Sequence, residues 1–256
     1  MRPGSQTELL FATDAYLRRF ESEVLAVNAE ASRVALARTG FYPGGGGQPA
    51  DTGVLRWDAG GNETPSVEVV GARREQGVVW HRLADGEPCP EPGMLLEGQL
   101  DWERRHLLMR THTALHILCG VIWQQFGVAV TGGNMEPGKG RLDFSLDAIS
   151  VELGQQIESR MNAEVARARS VVVEFLDRSE ADADPALIRT QANLIPAAID
   201  PLRIIDIVGL DKQADGGTHV ASTAEVGGIR VVKTESKGRD NKRIRIALDD
   251  RQSVRE

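Results

Sequence analysis

Near Leu100 the hydrophobic repeat changes, and that change does most to limit the folds open to this 256-residue chain. Before it, short apolar or alternating runs recur at residues 23–27, 32–38, 53–57, 66–70, 77–82 and 94–100. Turn-forming stretches separate them, among them 59–62 and the proline-rich 87–93. Short strands at this spacing predict a small N-terminal β-barrel. After Leu100 the repeat becomes helical. Asp101 can cap a helix over 102–126 that stops at Gly127, with Leu107, Leu108, Leu115, Leu118 and Ile122 as its apolar stripe. A strand at 140–146 follows, then a helix over 151–169 and a strand at 171–176. A short helix is expected near 185–192, with strands at 202–208, 228–235 and 243–248. The expected fold class is α+β: the barrel over residues 1–100, then a two-layer domain over 101–256 with helices packed on a largely antiparallel sheet.

Composition narrows the function classes. No apolar run approaches the roughly 20 residues needed to span a bilayer, and the N-terminus has no signal-peptide pattern. Cys89 and Cys119 are too few for a disulfide framework, which places the chain in the cytoplasm. The net charge of −7 argues against broad nucleic-acid binding, which depends on neutralising phosphates. Charge is uneven, however. Residues 228–256 hold nine basic and five acidic side chains, a local excess of four positive charges. Such a patch suits an oriented polyanion; the plainer alternative is a solvated strand face with a frayed tail.

His112 and His116 are four residues apart on the predicted helix. That spacing turns about 40° and rises about 6 Å, so both imidazoles leave one face, one turn apart. Two nitrogen donors for one metal ion stand this way, as do many surface or hydrogen-bonded core histidines. Residues 213–219, Gln-Ala-Asp-Gly-Gly-Thr-His, form a predicted loop that adds His219 and, four residues earlier, Asp215. Three histidines and an aspartate can close a tetrahedral shell or leave a position open. The glycines equally suit a tight turn. Cys119 lies three residues after His116 but about 10 Å along the axis from His112, and reads as a small core residue.

Three motifs together carry a family resemblance. Thr111-His112-Thr113-Ala114-Leu115-His116 resembles the first zinc motif of the alanyl-tRNA synthetase editing domain, which also exists as free-standing trans-editing proteins of the AlaX type. Residues 216–220, Gly-Gly-Thr-His-Val, resemble the second motif. The segment from Gly40 to Gly53, with its run Gly44-Gly45-Gly46-Gly47, resembles the glycine-rich motif of the family's N-terminal barrel. Residues 140–144 and the basic segment from Lys233 onward also fit. The resemblance spans nearly the whole chain and leaves too few residues for an aminoacylation domain.

It implies hydrolysis of the ester between a wrong amino acid, chiefly serine and also glycine, and the 3′-terminal ribose of tRNA(Ala). The implied cofactor is Zn²⁺ and the partner is the tRNA(Ala) acceptor end, with no nucleotide cofactor. The implied metal ligands are His112, His116, Asp215 and His219. The family usually has cysteine where this chain has Asp215; aspartate can still ligate through oxygen, and the alternative shell is three histidines plus water. Gly45, Gly46, Gly47 and Gln48 are implied near the tRNA terminus. Thr131 is the matching candidate for a hydrogen bond to the serine hydroxyl. Lys233, Lys237, Arg239, Lys242 and Arg243 are the candidate tRNA contacts.

No serine- or cysteine-based covalent constellation stands out. The glycine run lacks the Gly-Lys-Ser/Thr ending of a P-loop, which excludes that mode of nucleotide binding. Editing of Ser-tRNA(Thr) by a related domain, a decayed tRNA-binding module and a general metallohydrolase are the competing readings.

Overall fold

The computed structural model describes residues 6–58, 64–190, 199–238 and 241–249. It divides into two compact units, one of Met1–Gly45 with Pro49–His106, the other of Gly46–Gln48 with Leu107–Glu256.

In the first unit, β1 (Glu8–Leu9) pairs in parallel with the short β4 (Arg38–Thr39). Six further strands, β2 (Arg19–Asn28), β3 (Arg33–Leu36), β5 (Gly53–Trp57), β6 (Ser66–Glu75), β7 (Val78–Leu83) and β8 (Leu95–Leu100), close a barrel in the order β2-β3-β7-β6-β5-β8. Alternate residues fill its interior, including Phe20, Val34, Leu36, Leu55 and Leu96. Strand β6 runs beyond the predicted end at residue 70. A bulge between Val69 and Gly71 breaks its alternation, and its last residues include the exposed Arg73 and Arg74. The two-residue turn to β7, Gln76-Gly77, has positive φ at both positions, as tight hairpins favour. The predicted turn at 59–62 lies outside the described residues.

Much of the Gly40–Gly53 motif builds this unit. The Asp51 carboxylate accepts from Tyr42 N at 2.6 Å and from the guanidinium of Arg105, which also donates to the Ala15 carbonyl at 2.9 Å. Arg105 and Asp51 are both buried. A Cβ on Gly53 would stand 2.2 Å from the Gln99 carbonyl oxygen, so only glycine lets β5 lie this close to β8.

Helix α1 (Trp102–Phe126) opens on Asp101, whose Oδ1 accepts from Arg104 N at 3.1 Å. Every residue from Thr111 to Ile122 is buried, so this central part of the helix is covered on all sides rather than along one stripe. The second unit adds β9 (Val130–Glu136), β10 (Lys139–Phe144), α2 (Val151–Ala166), β11 (Val171–Leu176), α3 (Arg178–Asp182), β12 (Leu202–Ile207), β13 (Asp211–Ala214), β14 (Ile229–Ser236) and β15 (Lys242–Leu248). They form two antiparallel sheets, β14-β15-β10-β9 and β11-β12-β13, where sequence periodicity suggested one.

Two glycines let α1 approach both sheets. A Cβ on Gly140 of β10 would press on the Leu115 side chain at 2.9 Å. A Cβ on Gly120 of α1 would meet Leu210 and Asp211 at 2.9 and 3.0 Å. Strands β9 and β13 were not predicted, since Gly132-Gly133 and the polar 211–214 carry no apolar alternation. The short helix expected near 185–192 is a 3₁₀ turn at Pro185–Leu187, preceded by α3; residues 191 and 192 lie outside the described residues.

Candidate metal centre

One ligand atom from each of His112, His116, Asp215 and His219 lies within 4.8 Å of the others. All belong to the second unit. Helix α1 supplies the first two from adjacent turns, and the segment after β13 brings the others. The rings of His112 and His219 stack at 4.4 Å between centroids, and His116 stands edge-on to both at 5.1 and 4.6 Å. Asp215 Oδ2 lies 3.1 Å from His219 Nε2, and its Oδ1 lies 3.7 Å from His112 Nε2.

Each ring is held from behind by its Nδ1. His112 Nδ1 donates to Gln48 Oε1 at 2.9 Å. Gln48 is fixed in turn by Thr218, whose N–H donates to Oε1 at 3.0 Å and whose hydroxyl accepts from Nε2 at 2.9 Å. His116 Nδ1 faces Asp211 Oδ2 at 3.2 Å. His219 Nδ1 lies 3.1 Å from Thr113 Oγ1. Outer partners of this kind set which nitrogen is free for a metal and how the ring points. Here they turn Nε2 of each ring away from its outer partner, and Nε2 of His219 meets Asp215 Oδ2.

The loop that carries Asp215 and His219 is pinned as closely. Arg203 Nη1 donates to the carbonyls of Asp215 and Gly217 at 2.9 and 2.7 Å. Gly217 N donates to Asp215 Oδ2 at 2.6 Å. A Cβ on Gly217 would stand 2.3 Å from His112 Cε1 and 2.7 Å from Gln48 Oε1, so glycine is required by close approach.

Electrostatics favour the metal-binding form of three donors, His112, His219 and Asp215, but not of His116. Burial lowers His112 to about 4, against the opposing pull of Asp215. Burial, reinforced by His112 and His116, pushes His219 well below the ordinary histidine value. Burial alone would raise Asp215, yet the facing His112 and the hydrogen bond from His219 outweigh it and hold the carboxyl well below the usual range. Burial would likewise lower His116, but the hydrogen bond to Asp211 and the charges of Asp215 and Asp211 raise it. Neutral imidazole and ionised carboxylate are the forms that bind a cation. Zinc takes such nitrogen and oxygen donors at about 2.0–2.2 Å in a tetrahedral set. Three buried imidazoles and one half-buried carboxylate, held from outside, fit that ion.

The remaining sequence candidates are placed as follows. Gly46 and Gly47 have φ of +56° and +90°, and a Cβ on Gly46 would come within 4.0 Å of Asp215 Oδ1. Gly47 accepts from Met135 N at 3.2 Å and packs against Gly133. Gly45 belongs to the first unit, where its carbonyl accepts from Tyr42 Oη at 3.0 Å. Thr131 donates to Asn241 Oδ1 at 3.2 Å. Lys233 and Lys237 are exposed and lie 3.1 and 3.5 Å from Glu235 Oε1. Arg243 is paired with Asp143 at 2.7 and 2.8 Å. Lys242 is buried, with Nζ donating to the Gly238 carbonyl at 2.9 Å. Arg239 lies outside the described residues. Cys119 is a buried free thiol, pushed up by burial and by Asp211. Sequence reasoning missed Asp211, Thr113 and Arg203. The one signal for Asp211 was a carboxylate near the second motif.

A family model described as the threonyl and alanyl tRNA synthetase second additional domain matches residues 202–245. Fold and site together thus point to the synthetase editing-domain class, with a barrel unit and a cluster of four side chains that could hold a metal ion. An alanyl-tRNA editing protein AlaX-M from Methanosarcina mazei is 36% identical over 96% of this chain and 98% of its own length. Another from Saccharolobus solfataricus is 36% identical over 93% and 97%. The alanine–tRNA ligase of Methanococcus vannielii is 37% identical over 90% of this chain but only 25% of its own length. The chain belongs to the free-standing alanyl-tRNA editing proteins of the AlaX type. Among the described residues no helix is long and apolar enough to cross a membrane.

Proposed function

We propose that this chain is an aminoacyl-tRNA deacylase that edits mischarged tRNA(Ala), chiefly Ser-tRNA(Ala) and also Gly-tRNA(Ala), with zinc at the cluster of His112, His116, Asp215 and His219. The observation that carries the reading is the convergence of these four donors, each imidazole anchored from behind, in a chain aligned end to end with AlaX-M editing proteins. When bound, zinc supplies Lewis acidity and can lower the pKa of a bound water to roughly 7.

The chain's own residues do the rest. Gln48, Asp211 and Thr113 hold the rings so that Nε2 faces inward. The positive-φ backbone of Gly46 lies beside Asp215 and that of Gly47 beside Gly133, leaving a surface without side chains for the tRNA terminus. Thr131, two residues before the Gly133 that packs on Gly47, is the proposed partner of the serine hydroxyl. A site built to hydrogen-bond one extra hydroxyl can disfavour the analogue lacking it by up to about 10⁴-fold.

Deacylation of Ser-, Gly- and Ala-tRNA(Ala) and of Ser-tRNA(Thr), with and without a chelator, tests this. The expected result is chelator-sensitive release of serine and glycine from tRNA(Ala), with Ala-tRNA(Ala) spared. Ser-tRNA(Thr) is included because the matching family description covers both synthetases. Hydrolysis that prefers it would move the substrate to threonine tRNA, and no hydrolysis of any of these would reject the reading.

A further inference from the structure

Strand pairing lines up cations on one face of the four-stranded sheet. Lys233 on β14 opposes Arg245 on β15, Arg245 opposes Arg141 on β10, and Arg141 opposes Asn134 on β9. The next row on this face is Glu235, Arg243, Asp143 and Gly132. The other face holds Leu142, Phe144, Ile244 and Ile246, all buried. Like charges set directly opposite each other across strands destabilise a sheet. Here three stand in line at a strand spacing of about 4.8 Å.

The second row compensates only in part. Glu235 lies 2.8 Å from Arg245, 3.1 Å from Lys233 and 3.5 Å from Lys237. Asp143 serves Arg243 and Arg141 at 2.7 and 3.0 Å. Among the described residues of these two rows, with Lys237, five cations share two carboxylates, a local excess of three positive charges in a chain of net charge −7. Lys233 is 61% exposed, Arg245 and Lys237 each 40%. At the β9 end, the Asn134 Cα lies 3.6 Å from the place a Cβ on Gly47 would take. Gly47 precedes Gln48, which holds His112. The row of cations therefore runs toward the edge of the metal centre.

We propose that this face is the track for the sugar–phosphate backbone of the charged tRNA's 3′-terminal strand, with Lys233, Arg245 and Arg141 as phosphate contacts and Arg243 holding Asp143 beneath them. The proposal rests on the reading that the substrate is an aminoacyl-tRNA. Arg141 and Arg245 were absent from the sequence-based candidates. Lys242, on the buried face, takes no part.

Binding of uncharged tRNA(Ala), measured by fluorescence anisotropy against salt concentration, tests it. Each phosphate contact to a single strand contributes roughly 0.7 to the slope of log K against log salt. The double variant Lys233→Ala/Arg245→Ala is expected to lose between about 1 and 2 from that slope and to bind about tenfold more weakly. Glu235→Gln, which removes the shared carboxylate, is expected to bind tighter by about threefold, a gain that misfolding does not produce. Arg74→Ala, on the barrel, is the control and should keep the wild-type slope. A wild-type slope in a double variant that melts normally would overturn the track, as would an unchanged or weaker affinity for Glu235→Gln. So would a loss in Arg74→Ala equal to that of the double variant. Deacylation by the wild-type protein is scored separately, so the editing reading can fail while these slopes still decide the track.

Discussion

Asp211 Oδ2 lies 3.2 Å from Nδ1 of His116, and this pair ties α1 to the strand that leads into the loop of Asp215 and His219. The contact exists because Gly120, one turn beyond His116, has no Cβ to hold Leu210 and Asp211 away. Gln213 Nε2 donates to the same carboxylate oxygen at 2.6 Å. Loss of such a partner typically lowers metal affinity by about 10- to 100-fold. Asp211→Ala is expected to weaken zinc binding within that range, and Asp211→Asn, which keeps an acceptor, to weaken it less. Competition with a chelating dye measures both, and wild-type affinity in Asp211→Ala would show that the pair does not position His116.

Gly217 should tolerate no side chain. A methyl group there meets His112 Cε1 at 2.3 Å, so Gly217→Ala must displace either the ring or the loop. Overpacking of this kind costs about 1–3 kcal/mol. The expected outcome is a lower melting temperature with zinc affinity reduced at least about tenfold. Calorimetric unfolding and metal titration read the two effects independently.

Asp215 should be exchangeable only for another metal-binding side chain. Its carboxylate is the sole non-imidazole member of the cluster. Asp215→Cys supplies a thiolate, a softer donor that zinc accepts readily, and should retain zinc at least as tightly as wild type. Asp215→Ala should release zinc faster. Equal release from all three proteins in chelator kinetics would remove Asp215 from the ligand set.

The barrel should lose stability in mild acid through His81. Its Nδ1 donates to the Val34 carbonyl at 3.2 Å, and its Nε2 accepts from Thr39 Oγ1 at 2.8 Å, an arrangement that suits the neutral ring. Burial lowers its pKa from 6.5 to about 4, despite the Val34 bond. Between these values the unfolded chain binds a proton that the folded chain refuses, so stability falls as pH drops through that window. The contribution is full above pH 6.5 and reaches at most about 3 kcal/mol. Denaturant unfolding of wild type and His81→Gln at pH 7 and pH 4.5 should show a smaller pH loss in the variant.

Much of this architecture could be read from periodicity. The six barrel strands and the 25-residue α1 follow the alternating and helical repeats closely. The spacing of His112 and His116 was readable because helical geometry converts four residues into one face. What escaped was set by long-range packing. Asp211 meets His116 only through the missing Cβ of Gly120, and neither residue signals the other in sequence. Strand β9 pairs through glycines that read as a loop. Lys242 and Arg245 look alike in a basic stretch, and only strand parity sends one inward and the other outward.

The most direct test of the central claim is the metal content of chelator-free protein, measured by plasma mass spectrometry alongside its activity on Ser-tRNA(Ala). The account predicts about one zinc per chain in the wild type. It predicts little zinc and no serine release in His219→Ala, and activity lost to a chelator and restored by added zinc. Protein that carries no zinc, gains none on addition and still deacylates Ser-tRNA(Ala) would contradict it.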